Sequence, residues 1–294
     1  MDRIAESELI LDKRGAIYHI GARPEEMADT IIIVGDPDRV SMVSKHFDKI
    51  EFKTQHREFI MHTGFLGNKR LSVLSTGIGP DNIDIAINEI DALVNIDFET
   101  RTIKSSLRSV NIIRMGTSGA LQENVEIDSF VAGTHGLGFD NVMHFYETTK
   151  TKEEGEILEA FKEHTNLTTG NVIPYIFTAS EKLLKLFSNK YHHGITAACP
   201  GFYGPQGRIL RLPVFYKGLI DKLTSFNYQQ HHIANFEMES SAIYGLGNLL
   251  GHNCLSLNVI VANRVIKEFS KDGTKAVEKL IKHSLDIISG SDLE

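Results

Sequence analysis

Apolar and polar positions along the chain alternate between the patterns of buried strands and of amphipathic helices. Thr30-Ile31-Ile32-Ile33-Val34 is an unbroken β-branched run, as expected of a strand buried on both faces. It stops at Gly35-Asp36-Pro37-Asp38-Arg39-Val40. Asp36 can cap and Pro37 can take the first helical position, so a helix is predicted through Val40, Met42 and Val43 toward Phe47. Two strands follow, Ile50 to His62 and Arg70 to Ser75, joined by a turn at Gly64 to Asn68. The second ends in Thr76-Gly77-Ile78-Gly79-Pro80, and apolar positions Ile83, Ile87, Ile90 and Leu93 predict a helix from Asp81. Asn95 to Ser109 is polar and mixed in charge and reads as a surface excursion.

The second half repeats the theme. Val110-Asn111-Ile112-Ile113 is a buried-type strand that ends in Arg114-Met115-Gly116-Thr117-Ser118-Gly119-Ala120. A strand at Phe130 to Thr134, a glycine-rich bend at Gly136 to Asp140 and an amphipathic helix from Glu153 to His164 come next. Strand Gly194 to Ala198 leads into a Gly- and Pro-rich loop, Cys199 to Arg208. His232-Ile233-Ala234 then runs through Asn235-Phe236-Glu237-Met238-Glu239-Ser240-Ser241 into a helical pattern carried by Ala242, Ile243, Leu246, Leu249 and Leu250, which stops at Gly251. A buried strand, Cys254 to Val261, and a helix from Thr274 to Ile288 close the chain. Alternating β and α predicts an α/β protein, and in open sheets of that class ligands bind outside the carboxyl ends of the strands. Gly35 to Arg39, Thr76 to Gly79 and Arg114 to Gly119 are three such ends, rich in glycine, arginine and hydroxyls.

Composition narrows the classes. With 294 residues, 41% hydrophobic and 23% charged, the chain has the make-up of a globular domain with a sizeable core. A net charge of -7 argues against a nucleic acid or an anionic membrane as partner, so any anion site is local. Two cysteines, Cys199 and Cys254, are too few for a disulfide framework or a Cys-based zinc site, and fit a reducing cytosol. Met1 to Arg14 has no continuous apolar core of a signal peptide, and no run approaches a membrane span. Of 13 histidines, no pair shows metal spacing; His192-His193 and His231-His232, as neighbours, point to opposite faces of a strand. No cofactor and no transition metal are expected.

Candidate chemistry lies at the strand ends. Glu237 and Glu239, two apart, share a face, and two carboxylates on one pocket are costly unless something binds them; the adjacent hydroxyls of a ribose are suitable donors. Alone, the stretch reads more readily as an acidic helix start favoured by the helix dipole. Gly35 beside a helix N-terminus and Arg39 describes an anion site, or equally a plain strand-to-helix turn. On the loop, Phe202, Gln206 and Arg208 offer a ring, an amide and a guanidinium, which suit a planar heterocycle, although Phe202 and Tyr203 could instead simply pack in a lid. Arg57, in Gln55-His56-Arg57-Glu58-Phe59, reads on its own as a surface charge beside Glu58.

Taken in order, Gly35-Asp36-Pro37-Asp38-Arg39, His56-Arg57-Glu58-Phe59, Ser75-Thr76-Gly77-Ile78-Gly79, Arg114 to Ala120, Phe202-Tyr203 with Gln206-Gly207-Arg208, and Phe236-Glu237-Met238-Glu239-Ser240 resemble the motif series of the uridine phosphorylases, within the wider nucleoside phosphorylase family. The resemblance covers about Tyr18 to the C-terminal helix, residues 18–290. It implies a single three-layer α/β/α domain, 1–294, with a central mixed sheet closing in part toward a barrel. It also implies pentosyl transfer from a pyrimidine nucleoside to inorganic phosphate, in nucleoside catabolism and pyrimidine salvage. The phosphate site would be Gly35, Arg39, Arg114 and Thr117, with Arg57 reaching in from a neighbouring subunit. Glu237, Met238 and Glu239 would hold the ribose, with His19 of Tyr18-His19-Ile20-Gly21 approaching the 5′-hydroxyl across the same interface; Phe202, Gln206 and Arg208 would hold uracil. Catalysis would rest on Arg39, Arg114, Glu239 and Arg208. The assembly implied is a homodimer or a dimer-based hexamer with shared sites, and some members bind a monovalent cation near Glu58 and Ile78.

Three features depart from the series. Gly79-Pro80-Asp81-Asn82 is one glycine short of the usual helix start, Asn95 to Ser109 is long, and the loop reads Gly204-Pro205-Gln206 where Pro-Gly-Gln or Glu-Gly-Gln is usual. A purine phosphorylase, a nucleoside hydrolase or an idle nucleoside-binding protein are the alternatives. A hydrolase has no need of three arginines around phosphate, and purine enzymes of similar type place an aspartate near Asn263.

Overall fold

The β-branched runs form the middle of one continuous sheet in a computed structural model, which describes residues 3–170 and 172–293. In chain order the elements are β1 (Thr30–Val34), α1 (Pro37–Ser44), β2 (Lys49–His56), β3 (Phe59–Leu66), β4 (Lys69–Ser75), α2 (Pro80–Asn95), β5 (Ile96–Asp97), β6 (Thr102–Ile103), β7 (Asn111–Ala120), β8 (Phe130–Gly138) and α3 (Lys152–Thr165). There follow β9 (Tyr175–Thr178), α4 (Glu181–Leu186), β10 (Tyr191–Ala198), α5 (Leu219–Ser225), β11 (Asn227–Tyr228), β12 (His231–Glu237), α6 (Ser240–Leu250), β13 (Asn253–Asn263), β14 (Glu268–Phe269) and α7 (Gly273–Ser289).

The main sheet runs β11-β12-β10-β8-β13-β7-β1-β4-β3-β2, with β9 on β8 and β14 on β13. β1 lies parallel between β4 and β7, every residue buried, as its sequence predicts. β12 also pairs antiparallel with β7, Asn235 opposite Ala120 and Phe236 opposite Gly119. That pairing closes β7, β12, β10, β8 and β13 into a ring, the partial barrel that the resemblance implied. Irregular registers at Gly194/Ile195, Ile195/Thr196 and Ile260/Ala262 supply the bends that closure needs. Parallel and antiparallel pairs coexist, so the sheet is mixed.

Helices α2 and α6 pack together and α6 lies on β8 and β13, while α7 lies on β7 and β13 and meets α1; the layers are α/β/α. Tyr244, fully buried in α6, donates its hydroxyl hydrogen to Gly133 O at 2.8 Å and accepts from Ser256 N at 2.8 Å, pinning the helix to both strands. Removing that hydroxyl would strand two buried backbone groups, at about 1–3 kcal/mol for each. The pin fixes the N-terminus of α6, where Glu239 stands. No helix among the described residues is long and apolar enough to cross a membrane.

Several boundaries differ from the sequence expectation. Ile50 to His62 is two strands, broken at Arg57-Glu58; the turn puts Arg57 at φ +54° and has no Gly or Pro to announce it, so the alternation runs on unbroken. The following turn shrinks to Gly67-Asn68, because β3 extends to Leu66. Arg114 to Gly119 lies inside β7, not beyond its end. Gly136 belongs to β8 and not to a bend: a Cβ there would stand 2.8 Å from Ser240 O and 2.7 Å from Ser241 Cα, so its glycine lets α6 press onto the strand. The excursion from Asn95 to Ser109 is polar but not wholly superficial. Arg101 is buried and donates to the carbonyls of Ile4, Ala5 and Leu9, tying the N-terminal segment down. Strand β9 and the short helices α4 and α5 have no counterpart in the sequence reading.

Candidate active site

One cleft of about 740 Å³ gathers the end of β1 with α1, the β2–β3 turn at Glu58, the turn before α2, the middle of β7, the loop after β10, the junction of β12 with α6, and the end of β13 with β14. The volume suits a small ligand of nucleoside size. A neighbouring hollow of about 610 Å³ is lined by the segment from Leu210 to Tyr216, and its lining is almost wholly apolar apart from Arg208 and Arg211. Charge therefore assigns the chemistry to the larger cleft.

At its centre is Arg114. The side chain folds back over Gly116, where a Cβ would lie 1.7 Å from Nη1, so this strand position tolerates only glycine. Nη2 donates to Glu239 Oε2 at 2.5 Å and lies 3.5 Å from Glu237 Oε2, while Nη1 donates to Asn258 Oδ1 at 2.8 Å. All three charged groups are buried. Burial opposes the guanidinium charge, but the two carboxylates outweigh it and raise its pKa. The cost of two carboxylates on one pocket is thus met from inside the chain by Arg114.

Glu237 and Glu239 share that partner but not an environment. Glu239 accepts from Gly79 N at 2.8 Å with its other oxygen, which brings the turn before α2 into the site. Glu237 accepts from the backbone N–H of Glu239 and of Ser240 at 3.0 Å. Its pKa is raised, chiefly by burial and against the pull of Arg114, with Glu239 adding to the rise. Met238 lies half-buried between them, on the cleft wall.

Arg39 faces this cluster from α1 and donates to Met115 O at 3.2 Å. Burial and then Arg114 lower its pKa. Among the described residues Arg39 has no ion pair, so its charge is open to an anion from the cleft. Asp36 caps α1 by accepting from Asp38 N at 3.0 Å, and Gly35 and Thr117 complete this end.

On the loop, Gln206 is buried, with its Nε2 donating to Glu237 O at 3.4 Å and its Oε1 accepting from Arg208 Nη1 at 2.5 Å. The Arg208 guanidinium lies 3.7 Å from the centre of the Phe202 ring and donates to Phe202 O at 2.7 Å. Burial, with Arg264 nearby, lowers the Arg208 pKa to about 10. An amide, a guanidinium and an aromatic ring thus gather on one side of the cleft, beside the carboxylate pair and Arg39.

The sequence pattern of the phosphorylase superfamily matches residues 29–289. The chain belongs to that superfamily. Uridine phosphorylase of Thermococcus kodakarensis is 29% identical over 297 residues, covering 100% of this chain and 94% of its own. A purine nucleoside phosphorylase of DeoD type from Alkaliphilus metalliredigens is 27% identical over 240 residues, 81% of this chain and 84% of its own. A Trypanosoma brucei nucleoside phosphorylase, described as showing uridine phosphorylase activity, superposes with a TM-score of 0.87 at 31% identity, over 97% of this chain and 100% of that one.

Set against this superfamily chain, the sequence-derived residues fall into two groups. Gly35, Arg39, Arg114, Thr117, Phe202, Gln206, Arg208, Glu237, Met238 and Glu239 all line the one cleft, together with Glu58 and Ile78. Arg57 and His19 do not. Arg57 is exposed on the hairpin turn, and His19 Nδ1 lies 2.7 Å from Glu89 Oε1. Sequence reasoning passed over Arg264, which donates to Gln206 O at 3.3 Å and stands 5.6 Å from the Phe236 ring, with Arg208 at 5.7 Å. Its signal was present: an arginine just past a buried strand, like Arg39. Asn263 is buried, with its amide spent on the backbone of Gln122, Val125, Val265 and Ile266, so it is fold scaffolding here.

Proposed function

We propose that the chain is a uridine phosphorylase, a pentosyltransferase that converts uridine and inorganic phosphate to uracil and ribose 1-phosphate. The observation that carries this reading is the buried Arg114, shared by Glu239 and Glu237 and faced by Arg39, whose charge has no ion-pair partner among the described residues. Phosphate seated by Arg39, Arg114, Thr117 and the N–H groups at Gly35 attacks C1′ as the C1′–N1 bond breaks. The electron pair of that bond leaves on uracil, and the sugar passes through an oxocarbenium-like state. Glu239 takes the 2′- and 3′-hydroxyls and its charge steadies the cationic ring; Arg208 and Gln206 receive the charge that spreads onto the uracil oxygens. No protein nucleophile is required.

Arg57 and His19 stand away from their own chain's cleft, which supports sites completed across a subunit interface in a dimer or a dimer-based hexamer. Glu58 and Ile78 border the cleft mouth, with a carboxylate and a carbonyl of the kind a monovalent cation takes. No step of the reaction is assigned to that ion. The relative of purine type supports a second reading, purine phosphorolysis on the same fold; the engaged amide of Asn263 speaks against it.

Base release from uridine, thymidine, cytidine and inosine, with and without phosphate, tests the proposal. Uracil release that requires phosphate is expected. Equal turnover without phosphate would assign a hydrolase, and preference for inosine would assign the purine reading.

A further inference from the structure

At the opposite end of β12 from Glu237, three side chains from separate elements meet: His135 of β8, His231 at the start of β12 and Glu153 in the first turn of α3. One ring nitrogen of each histidine and a carboxylate oxygen of Glu153 all lie within 4.8 Å of one another. We propose that His135, His231 and Glu153 bind a divalent transition-metal ion of Zn²⁺ type, which ties the N-terminus of α3 to the sheet.

His135 supplies the strongest sign. It is 4% exposed, its Nδ1 lies 3.1 Å from Thr134 Oγ1, and its Nε2 is buried with no hydrogen-bond partner among the described residues. A buried polar atom of that sort is costly unless it meets a ligand. Donation from Nδ1 to Thr134 would leave the Nε2 lone pair free, and hydrogen bonding at the other ring nitrogen is how metal-binding histidines are commonly oriented. Burial, with His231 beside it, lowers the His135 pKa to about 4, so the ring is neutral near pH 7, as a ligand must be.

His231 and Glu153 complete the donor set. His231 Nε2 lies 3.1 Å from Glu153 Oε1 and 2.9 Å from the Gln230 amide nitrogen. A bare imidazole lone pair and a carboxylate oxygen at that distance repel unless a proton or a metal ion lies between them. Two imidazoles and a carboxylate suit Zn²⁺, which takes such donors at about 2.0–2.2 Å with water in the remaining position. Tetrahedral donors then stand about 3.3 Å apart, and His231 Nε2 and Glu153 Oε1 already lie at 3.1 Å. The site is structural: β12 separates His231 from Glu237 by six residue steps, on the order of 20 Å at the usual strand rise.

The test titrates Zn²⁺ and Co²⁺ into metal-free full-length chain by calorimetry and visible absorption. The wild type should bind one ion per chain at micromolar concentrations, with a Co²⁺ band of low-coordinate N/O type and a thermal midpoint several degrees higher. Glu153→Gln, on an exposed side chain, and His231→Ala should each weaken binding by at least roughly tenfold and lose the rise in midpoint. A metal-free circular dichroism melt checks that both variants fold. Absence of binding in the wild type, or equal affinity and stoichiometry in the two folded variants, would overturn the proposal.

Discussion

The two ends of the cleft are built on different principles. At the phosphate and ribose end, Arg114, Glu237 and Glu239 are buried on strands of the closed ring and at a helix start held by Tyr244. At the base end, Phe202, Tyr203, Ile209, Leu210, Leu212 and Phe215 are exposed on a single long connection, and Arg208 is only half-buried. On the proposed function, the groups that carry out the reaction are preorganised by the sheet, where a shift of one side chain costs core packing. The groups proposed to read the base ride on a loop whose sequence can change without disturbing the barrel.

The largest expected effect strikes the rigid end. Arg114→Ala leaves two buried carboxylates without their cation, which costs on the order of 3–5 kcal/mol of stability, and it should abolish turnover. Denaturant melts and assays of the soluble fraction check both; a variant of native stability would show that Arg114 does not hold the pair. Next comes Arg208→Ala. Loss of one preorganised donor should lower kcat on uridine by about 10²–10³, while the melting curve of this half-exposed site stays close to wild type. Unchanged kcat would reduce the loop to a lid.

Sharing between subunits yields a third, more modest outcome. An Arg57→Ala chain mixed with a Glu239→Ala chain should regain part of the wild-type activity, because some mixed sites carry neither lesion. No recovery in a demonstrated heterodimer would contradict sites shared between subunits.

The smallest effect is a slope. Burial raises the Glu237 carboxyl above the ordinary range, against Arg114. Between the ordinary value of about 4.3 and that raised value, the folded chain keeps a proton that the unfolded chain has released. Stability of the ligand-free protein therefore falls as pH rises through that window. Glu237→Gln, which cannot ionise, should flatten the fall; parallel Tm-against-pH curves would contradict the assignment.

The same contrast explains what could be read from the chain beforehand. Thr30 to Val34 and the strand before Arg114 were legible because β-branched runs buried on both faces admit few other structures. Ten of the residues named from the motif order line one cleft. Arg57 was read inside a strand because a two-residue turn without Gly or Pro leaves the alternating pattern intact. The extent of β7 was hidden because Gly116 and Gly119 look like loop residues, whereas Gly116 makes room for the Arg114 guanidinium. His135, Glu153 and His231 went unnoticed as a trio because β8, α3 and β12 bring them together only when the sheet closes. Arg264 is a simpler omission, since the strand-end signature that marked Arg39 marks it as well.

The division of labour is tested most directly by kcat/KM on uridine and inosine over a range of phosphate concentrations, for Arg39→Ala and Gln206→Ala beside the wild type. Arg39→Ala should raise the phosphate KM by about 100-fold, in line with loss of a charge-assisted contact of roughly 1.5–3 kcal/mol, and leave the uridine-to-inosine ratio unchanged. Gln206→Ala should relax that ratio and leave the phosphate KM near wild type. A shifted base ratio in Arg39→Ala, or a lost phosphate response in Gln206→Ala, would contradict two separately built ends.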